Sequence, residues 1–291
     1  VSAGGDGIRT LLITGQNNHN WQFTSRVHED TLEATGRFDV DVTDNPSATL
    51  ADAVAIKQYK LFVLDYNGDR WGNTAEANFA AAVKDGAGVV VIHASNNAFV
   101  GWPDYECICG LMWVNGTTSH GAFHPFDVKI VDKDHPVTRG LADLKAHPDE
   151  LYHKLVNTRN TPFTLLAQAY SSPESRGTGK DEPMALVLSF GKGRVFHTPL
   201  GHVWNGDDVS KASIVDPQFK TLLARGAEWA ATGNVTVGES WKDVRPHNSL
   251  TASETAEGWK LLFDGASGKG WHGFKGKEFP QNWSVQDGVL V

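Results

Sequence analysis

The amino-acid sequence predicts an α/β fold with a doubly wound, mostly parallel β-sheet. Apolar runs without alternation, which are typical of strands buried on both faces, occur at residues 9–14, 61–66 and 89–92. Segments with helical spacing separate these runs, at 24–35, 47–56 and 74–84. With an alternating outer strand at 38–42, the β-α-β-α-β-α-β order implies parallel strands joined by right-handed crossovers.

Start and stop signals support these elements in turn. The first strand ends at Gly15, and the first helix, with apolar residues at 27, 32 and 34, stops at Gly36. The Ala-rich helix at 74–84 has a cap candidate in Asn73 or Thr74. The run at 89–92 stops at His93, and small polar residues including Asn96 follow. Because ligands bind outside the carboxyl ends of strands in open α/β sheets, chemistry is expected at His93, with Asn96 facing the substrate.

The second half of the domain is less regular. A helix is predicted at 105–112 and a strand at 126–131, and the Asp-, His- and Pro-rich stretch 132–149 is interpreted as a loop. Strand patterns return at 164–169, 184–190 and 194–200, with a hairpin turn at 191–193. Asp216 before Pro217 predicts the start of a closing helix at 217–232, since proline is favoured at the first helical position.

Composition limits the class of protein. The 291 residues, 40% hydrophobic, suffice for one sizeable core and a second unit. A net charge of −8 argues against nucleic acid or an anionic membrane as partner, and no apolar run reaches the ~18–20 residues of a membrane span. Cys107 and Cys109 are the only cysteines, which excludes a disulfide framework.

The chain divides into a domain at 1–233, a polar linker at 234–257 and strand-like pieces at 258–291. Three short pieces cannot bury a core alone, so this tail is either the start of a larger β-module or rests on the first domain. The small, Gly-rich lead VSAGGDG lacks an initiating Met. It fits a processed export signal, which predicts a periplasmic or secreted protein, and fits a trimmed chain equally well, which leaves a cytoplasmic location open.

Histidines are the main candidates for chemistry. His19, His93 and His202 follow predicted strand ends, and His124 lies in SHGAFHP, four residues after His120. Imidazoles gathered on one rim suit a divalent metal, Zn²⁺ first, or acid–base work near neutral pH. Each histidine taken singly is also compatible with a structural ring that binds a backbone carbonyl. The spacing of His120 and His124 adds little, since Gly121 argues against a helix there.

Other side chains could complete such a site. Glu150 and Tyr152, in the predicted DELY loop, are candidates for a base and for a hydrogen-bond donor to a substrate oxygen; a solvated turn with Tyr152 in the core is the alternative. Asp65, at a strand end, is another rim carboxylate, or a turn residue. Most tryptophans are expected in the core, but several fall near rim loops and could stack on sugar rings: Trp21, Trp71, Trp102, Trp113 and Trp204.

Two further chemistries are discounted. Cys107 and Cys109 do not stand at the sharp strand-to-helix turn that a nucleophile elbow needs, so a Cys-dependent amidase ranks last. The glycines at 191 and 193 form a turn without a following helix, so no nucleotide cofactor is expected.

The ordered motifs resemble the ThuA-like (trehalose utilisation) family over about residues 8–232. The motifs are Gly15 to His19, VVVIHAS around His93, FHP at 123–125, DHPVTRGL at 134–141, DELY at 149–152 and FGKGRVFHTPLGH at 190–202. The resemblance implies a class I glutamine-amidotransferase-like, flavodoxin-type fold without the amidotransferase cysteine. The tail, with GWKLLFDG, GWHGFKGKEF and WSVQDGVL, resembles the opening of the 3-keto-disaccharide hydrolase domain, a concanavalin-like sandwich.

What these resemblances imply is sugar catabolism, acting on glycosides oxidised at C3 by hydrolysis or elimination. His93, His124 and His202 would bind a metal or the ketone, Glu150 would be the base, and His19 and Tyr152 would position the substrate. The competing hypothesis is a non-catalytic carbohydrate-binding or scaffolding domain that supports the C-terminal module.

Overall fold

The computed structural model describes residues 7–238, 258–274, 276–286 and 289–291. The chain forms two compact units, Val1–Lys242 and Asp243–Val291. In the described parts of the chain, every helix falls short of the combined length and apolar character that crossing a membrane requires.

The first unit alternates strands and helices up to the centre of its sheet and then adds long strands. In chain order its elements are β1 (Ile8–Ile13), α1 (Trp21–Glu33), β2 (Phe38–Thr43), α2 (Pro46–Ala51), β3 (Leu61–Leu64), α3 (Asn73–Asp85), β4 (Gly88–Ile92), α4 (Pro103–Cys109), β5 (Ser119–Ile130), β6 (Leu144–His153), β7 (Phe163–Ser171), β8 (Lys180–Phe190), β9 (Gly193–Thr198), α5 (Ala212–Val215) and α6 (Pro217–Thr232).

These strands form one nine-stranded sheet in the order β2-β1-β3-β4-β9-β8-β7-β5-β6. The five strands from β2 to β9 run parallel, and β8, β7, β5 and β6 extend the sheet through antiparallel pairs. The predicted α/β fold is therefore confirmed, with its parallel core in the half of the sheet that contains β4.

The central strand β4 is buried on both faces, as its unbroken apolar run predicts. Val89 and Val91 belong to one hydrophobic cluster, which also contains side chains of α3 and α4. Val90 and Ile92 belong to the other cluster, which contains side chains of α1 and α6. Because successive side chains of a strand point to opposite faces, four adjacent apolar residues fill two layers of core at once.

The stretch 132–149, predicted as a loop, is partly strand, and this prediction is wrong from Leu144 onward. β6 begins there and carries the whole DELY sequence in antiparallel pairing with β5. It stands last in the sheet order, and at a sheet edge a residue such as Pro148 is tolerated because its missing N–H faces no partner strand. Its polar residues and proline give β6 no strand pattern in the sequence, and the strand is recognised only from its pairing with β5.

Local signals elsewhere predicted the elements well. The helix predicted at 217–232 is α6, with proline at its first position and Asp216 accepting a hydrogen bond from the Gln218 N–H as N-cap. The segment predicted at 47–56 is split between α2 and a 3₁₀ turn at Ala55–Gln58. Asn73 begins α3, but Gly72 is its cap residue.

The second unit contains a two-stranded antiparallel sheet, β10 (Val285–Gln286) and β11 (Val289–Leu290). Of the predicted linker, residues 234–238 are described: the N–H groups of Thr236 and Val237 donate to Glu228 of α6. The rest of the predicted linker, 239–257, lies outside the described residues.

Candidate functional site

Three histidines from distant parts of the sequence meet at the carboxyl edge of the parallel strands. His19 follows β1, His93 follows β4 directly, and His202 follows β9. One ring nitrogen of each lies within 4.8 Å of those of the other two, and all three side chains are buried. The prediction that separate strand ends carry imidazoles to one place is confirmed.

His93 is held by its backbone and by its ring. Its φ of 45° lies in the left-handed region, which is uncommon for a residue with a side chain and is found preferentially at functional sites. Its Nδ1 lies 2.7 Å from the carbonyl oxygen of Pro199. A carbonyl only accepts, so Nδ1 carries the proton and Nε2 presents a lone pair.

His19 is fixed in the same tautomer by two amide oxygens. Its Nδ1 lies 3.2 Å from Oδ1 of Asn17 and 3.1 Å from Oδ1 of Asn18. The Asn17 amide cannot be reversed without loss, because its Oδ1 also accepts the backbone N–H of His19 and its Nδ2 donates to Asp65 at 3.2 Å. Asp65 thereby fixes the orientation of the Asn17 amide, which in turn orients the His19 ring. Because Nδ1 of His19 carries the proton, its Nε2 also presents a lone pair.

These two lone pairs face each other, since the Nε2 atoms of His19 and His93 are 3.3 Å apart. Protonation of either nitrogen, which would let one ring donate to the other, is disfavoured. Burial, and next the charge of His202, lower the pKa of His93 to about 4. Burial, and next the charge of His93, hold the pKa of His19 far below its ordinary value. Both rings are therefore neutral near pH 7, and such nitrogens could bind a metal cation.

The third histidine connects the cluster to a carboxylate. Nδ1 of His202 lies 3.3 Å from Oε2 of Glu150, and Nδ1 of His120 lies 3.1 Å from the same oxygen. The hydrogen bond to Glu150 raises the pKa of His120 above its ordinary value. Glu150 is thus shared between a buried imidazole and one nearer the rim.

Tyr152 faces His93 from β6. Its hydroxyl lies 3.0 Å from Nε2 of His93 and donates to that lone pair. Burial raises the pKa of the Tyr152 phenol well above its ordinary range, so the group remains a donor. Its ring also packs at 4.7 Å from the ring of Trp113.

Trp204 covers the other side of the cluster and is itself 47% exposed. Its ring is nearly parallel to that of His202, with centroids 6.0 Å apart, and meets the ring of His19 edge-on at 5.2 Å. An exposed indole beside buried polar groups is an arrangement on which a sugar ring can stack.

Comparison with known proteins identifies the family. The family described as "ThuA: Trehalose utilisation" matches residues 9–230, more than half of the chain. The chain belongs to the ThuA family. A ThuA-like protein from Parabacteroides merdae is 37% identical, with a TM-score of 0.72, and the match covers 83% of this chain and 94% of that one.

Two more distant structures share the fold. A ThuA-like protein from Bacteroides uniformis is 17% identical with a TM-score of 0.62, covering 82% of this chain and 96% of that one. A cytoplasmic protein from Salmonella typhimurium is 12% identical with a TM-score of 0.56, covering 76% and 99%. No curated protein matches the chain significantly.

Not every residue predicted for the ThuA site lies in it. His124, predicted as a metal ligand, is outside the histidine cluster: its Nδ1 bonds to the carbonyl of Ala122 and its ring packs on Phe126. The cluster consists of His19, His93 and His202, the three histidines that follow predicted strand ends. The reason for the exclusion of His124 is strand geometry, because the register of β5 with β6, and not sequence spacing, decides which of its side chains face the cluster.

Two other predicted substrate contacts are structural in this ThuA domain. The Asn96 side chain is fully buried, and its Nδ2 lies 3.2 Å from Nε2 of His197. Trp102 is 7% exposed and stacks on Tyr105 within a hydrophobic cluster. Trp21 is half-buried at the first position of α1.

Sequence reasoning missed several residues that shape the ThuA site. His120 was set aside because no helix could present it, yet β5 places it opposite Tyr152. The amides of Asn17 and Asn18 gave no signal beyond being polar loop residues next to His19. The thiol of Cys109 is fully buried, and burial raises its pKa, which agrees with the low rank of a thiol nucleophile.

Proposed function

We propose that this ThuA-family protein is a carbohydrate-active enzyme that cleaves the glycosidic bond of a sugar oxidised at C3, using a divalent cation bound by His19, His93 and His202. The observation that carries the proposal is the pair of facing Nε2 lone pairs of His19 and His93, whose rings are both buried. The family description supports a carbohydrate, and the resemblance of residues 258–291 to a 3-keto-disaccharide hydrolase opening supports an oxidised one.

The facing nitrogens of His19 and His93 suit Zn²⁺, and a ring nitrogen of His202 lies within 4.8 Å of a nitrogen of each. Two nitrogens on a tetrahedral zinc ion, with Zn–N of about 2.0–2.1 Å, lie roughly 3.3 Å apart. The Nε2 atoms of His19 and His93 are 3.3 Å apart. Three protein ligands leave a fourth position for substrate, which is the pattern of catalytic zinc sites. A cation bound there would act as a Lewis acid toward a carbonyl oxygen.

Glu150 is the proposed base. A ketone at C3 acidifies the proton on C2, and a carboxylate in reach of it can remove that proton. The C2–H electron pair then forms the C1=C2 double bond, the C1–O glycosidic bond breaks, and the departing oxygen takes up a proton. The Nδ1 atoms of His120 and His202 lie 3.1 and 3.3 Å from the same Glu150 oxygen, so imidazoles on two sides face the proposed base.

Tyr152 and Trp204 orient the sugar. The Tyr152 hydroxyl is a permanent donor directed at the centre of the cluster, where a substrate oxygen would replace the His93 nitrogen as its acceptor. Trp204 offers an apolar face at the rim, on which the C–H groups of a pyranose ring can pack.

The test combines metal content with turnover. The full chain is loaded with Zn²⁺, and wild type, His93→Ala and the matched control His124→Ala are compared. We expect stoichiometric zinc in wild type and His124→Ala, and loss of both zinc and turnover of a 3-keto-glucoside in His93→Ala. Unchanged turnover in His93→Ala would remove the cluster from the mechanism.

A second comparison separates catalysis from binding. Glu150→Gln is expected to bind the 3-keto-glucoside without cleaving it. If wild type binds the sugar but never cleaves it, the non-catalytic binding module is the correct alternative. If the unoxidised glucoside is cleaved as fast as the 3-keto form, elimination is wrong.

A further inference from the structure

A chain of three ionised groups lies next to the histidine cluster, and two of them, His147 and Asp149, are fully buried. His147 is fully buried, and its Nδ1 lies 2.7 Å from Oδ2 of Asp216 while its Nε2 lies 3.1 Å from Oδ2 of Asp149. Carboxylates accept hydrogen bonds, and an imidazole can donate from both nitrogens only when it is protonated. The geometry therefore indicates an imidazolium between two carboxylates.

The electrostatics agree with this geometry. Burial alone lowers the pKa of His147, but its hydrogen bonds to Asp149 and Asp216 outweigh burial and raise it to about 9. Burial likewise opposes ionisation of Asp149, and the hydrogen bond from His147 nevertheless lowers the pKa of that carboxyl. The charges are mutually dependent, since an unpaired charge at this depth would be strongly disfavoured.

Asp149 is also the point where three segments are joined. Its Oδ2 accepts the backbone N–H of Gly201 at 2.7 Å and the hydroxyl of Ser213 at 2.7 Å. Its Oδ1 accepts the backbone N–H groups of His202 at 3.2 Å and Glu150 at 2.7 Å. One carboxylate thus ties β6 to the segment that follows β9 and to α5. Two of these four donors belong to residues whose side chains form the site.

The segment after β9 is shaped to reach this carboxylate. Gly201 has a φ of 117°, which a residue with a side chain rarely adopts, and a Cβ there would lie 3.1 Å from the Cγ2 atom of Ile92. With glycine at this position, the chain directs two consecutive N–H groups, those of Gly201 and His202, to the same carboxylate.

We propose that Asp149 is a positioning residue that sets the His202 ring and the Glu150 side chain relative to each other, and that the hydrogen bonds from His147, itself held by Asp216, keep the Asp149 carboxylate in place. Asp149 acts through backbone groups and does not contact the substrate. Its expected influence on metal affinity rests on the proposed function, whereas its hold on the 201–202 segment does not.

The test is Asp149→Asn in the full chain. Asparagine keeps the size of the side chain but has only one acceptor oxygen. It therefore cannot accept both the N–H of Gly201 and the N–H groups of His202 and Glu150, which bond to different oxygens of Asp149. We expect backbone hydrogen exchange at Gly201 and His202 to become faster by about tenfold or more. We expect Zn²⁺ affinity to fall about 10–100-fold, as when an outer partner of a metal ligand is lost.

Ser213→Ala is the matched control. It removes one donor to the same carboxylate and leaves the 201–202 contacts intact, so both exchange at these residues and Zn²⁺ affinity should stay near wild type. Thermal unfolding of the metal-free proteins separates a local effect from a global one. Exchange should rise in Asp149→Asn at 201–202 far more than in β4.

His147→Gln provides a second variant in case Asp149→Asn does not fold. Glutamine is neutral, and both of its N–H donors are on one nitrogen, so it cannot bridge Asp149 and Asp216 from two separate nitrogens as the imidazolium does, and exchange at Gly201 and His202 should again increase. Wild-type exchange at these residues in whichever of the two variants folds would overturn the proposal. If wild type binds no Zn²⁺, the metal hypothesis fails, and the exchange measurement still decides the role of Asp149.

Discussion

The Nε2 atoms of His19 and His93 face each other at 3.3 Å, and each ring has its Nδ1–H group already engaged by an oxygen acceptor. Neither ring can turn to donate to the other without giving up that bond. The Pro199 carbonyl and the Asn17 amide therefore direct both Nε2 lone pairs into the cluster, where that of His93 accepts a hydrogen bond from Tyr152. Hydrogen bonds to residues around the cluster thus fix the orientation of both rings.

Removal of the amide that orients His19 should weaken metal binding. Asn17→Ala deletes the acceptor of both the ring and the backbone N–H of His19. Asn18→Ala deletes an acceptor of the ring alone. We expect Zn²⁺ affinity to fall about 10–100-fold in Asn17→Ala and less in Asn18→Ala. Equilibrium zinc titration checks the order, and equal affinities in wild type and Asn17→Ala would contradict it.

Two tryptophans should respond to mutation in opposite ways. Trp204→Ala removes an exposed ring above the cluster, so KM for the sugar should rise by a factor corresponding to about 0.5–1.5 kcal/mol while the free energy of unfolding changes little.

Trp102→Ala opens a cavity among the aromatic rings of the core, and should lower the free energy of unfolding by about 3–5 kcal/mol. Denaturant titrations and initial rates for both variants check the contrast. A large loss of stability in Trp204→Ala would show that this ring is part of the core.

Asp65 should make stability depend on pH. Burial raises the pKa of this carboxyl to about 7 in the folded protein, well above its unfolded value. The folded state then binds this proton more tightly, so the contribution of Asp65 to stability is fully present below about pH 4 and is lost as pH rises through 7.

Asp65→Asn abolishes this ionisation and can keep the contacts to Asn17 and Thr24, since a hydroxyl also accepts. Relative to wild type, we expect a gain in the free energy of unfolding of about 3–4 kcal/mol at pH 8 and none near pH 4. Denaturant unfolding at both pH values tests this, and a pH-independent difference would contradict it.

The two cysteines should be dispensable for turnover. Cys109 is fully buried and Cys107 is half-buried, so a thiol reagent should modify at most one thiol in the native protein and both after unfolding. The double variant Cys107→Ser with Cys109→Ala should retain wild-type turnover of the 3-keto-glucoside. If the double variant folds normally but loses turnover, a mechanism with a thiol nucleophile would be supported instead.

The histidine cluster shows which site residues can be predicted from the order of the strands and which cannot. His93 and His202 could be placed because each follows a run of buried strand residues, and parallel strands end at the same edge. His124 could not be excluded, nor His120 selected, because both lie on the antiparallel strand β5. There the bulges after His120 and after Phe126 change the register with β6, and a sequence alone does not reveal bulges.

The sequence by itself determined the α/β fold, the central strand β4, the closing helix with its Asp216 cap, and the strand ends where histidines stand. These features depend on local periodicity and on capping residues, both of which can be recognised from residues close together in the sequence. Only the tertiary structure decided that His124 lies outside the histidine cluster and that Asp149 joins Gly201, Glu150 and His202. Such contacts depend on register and on side-chain hydrogen bonds between segments far apart in the chain, and no local pattern encodes them.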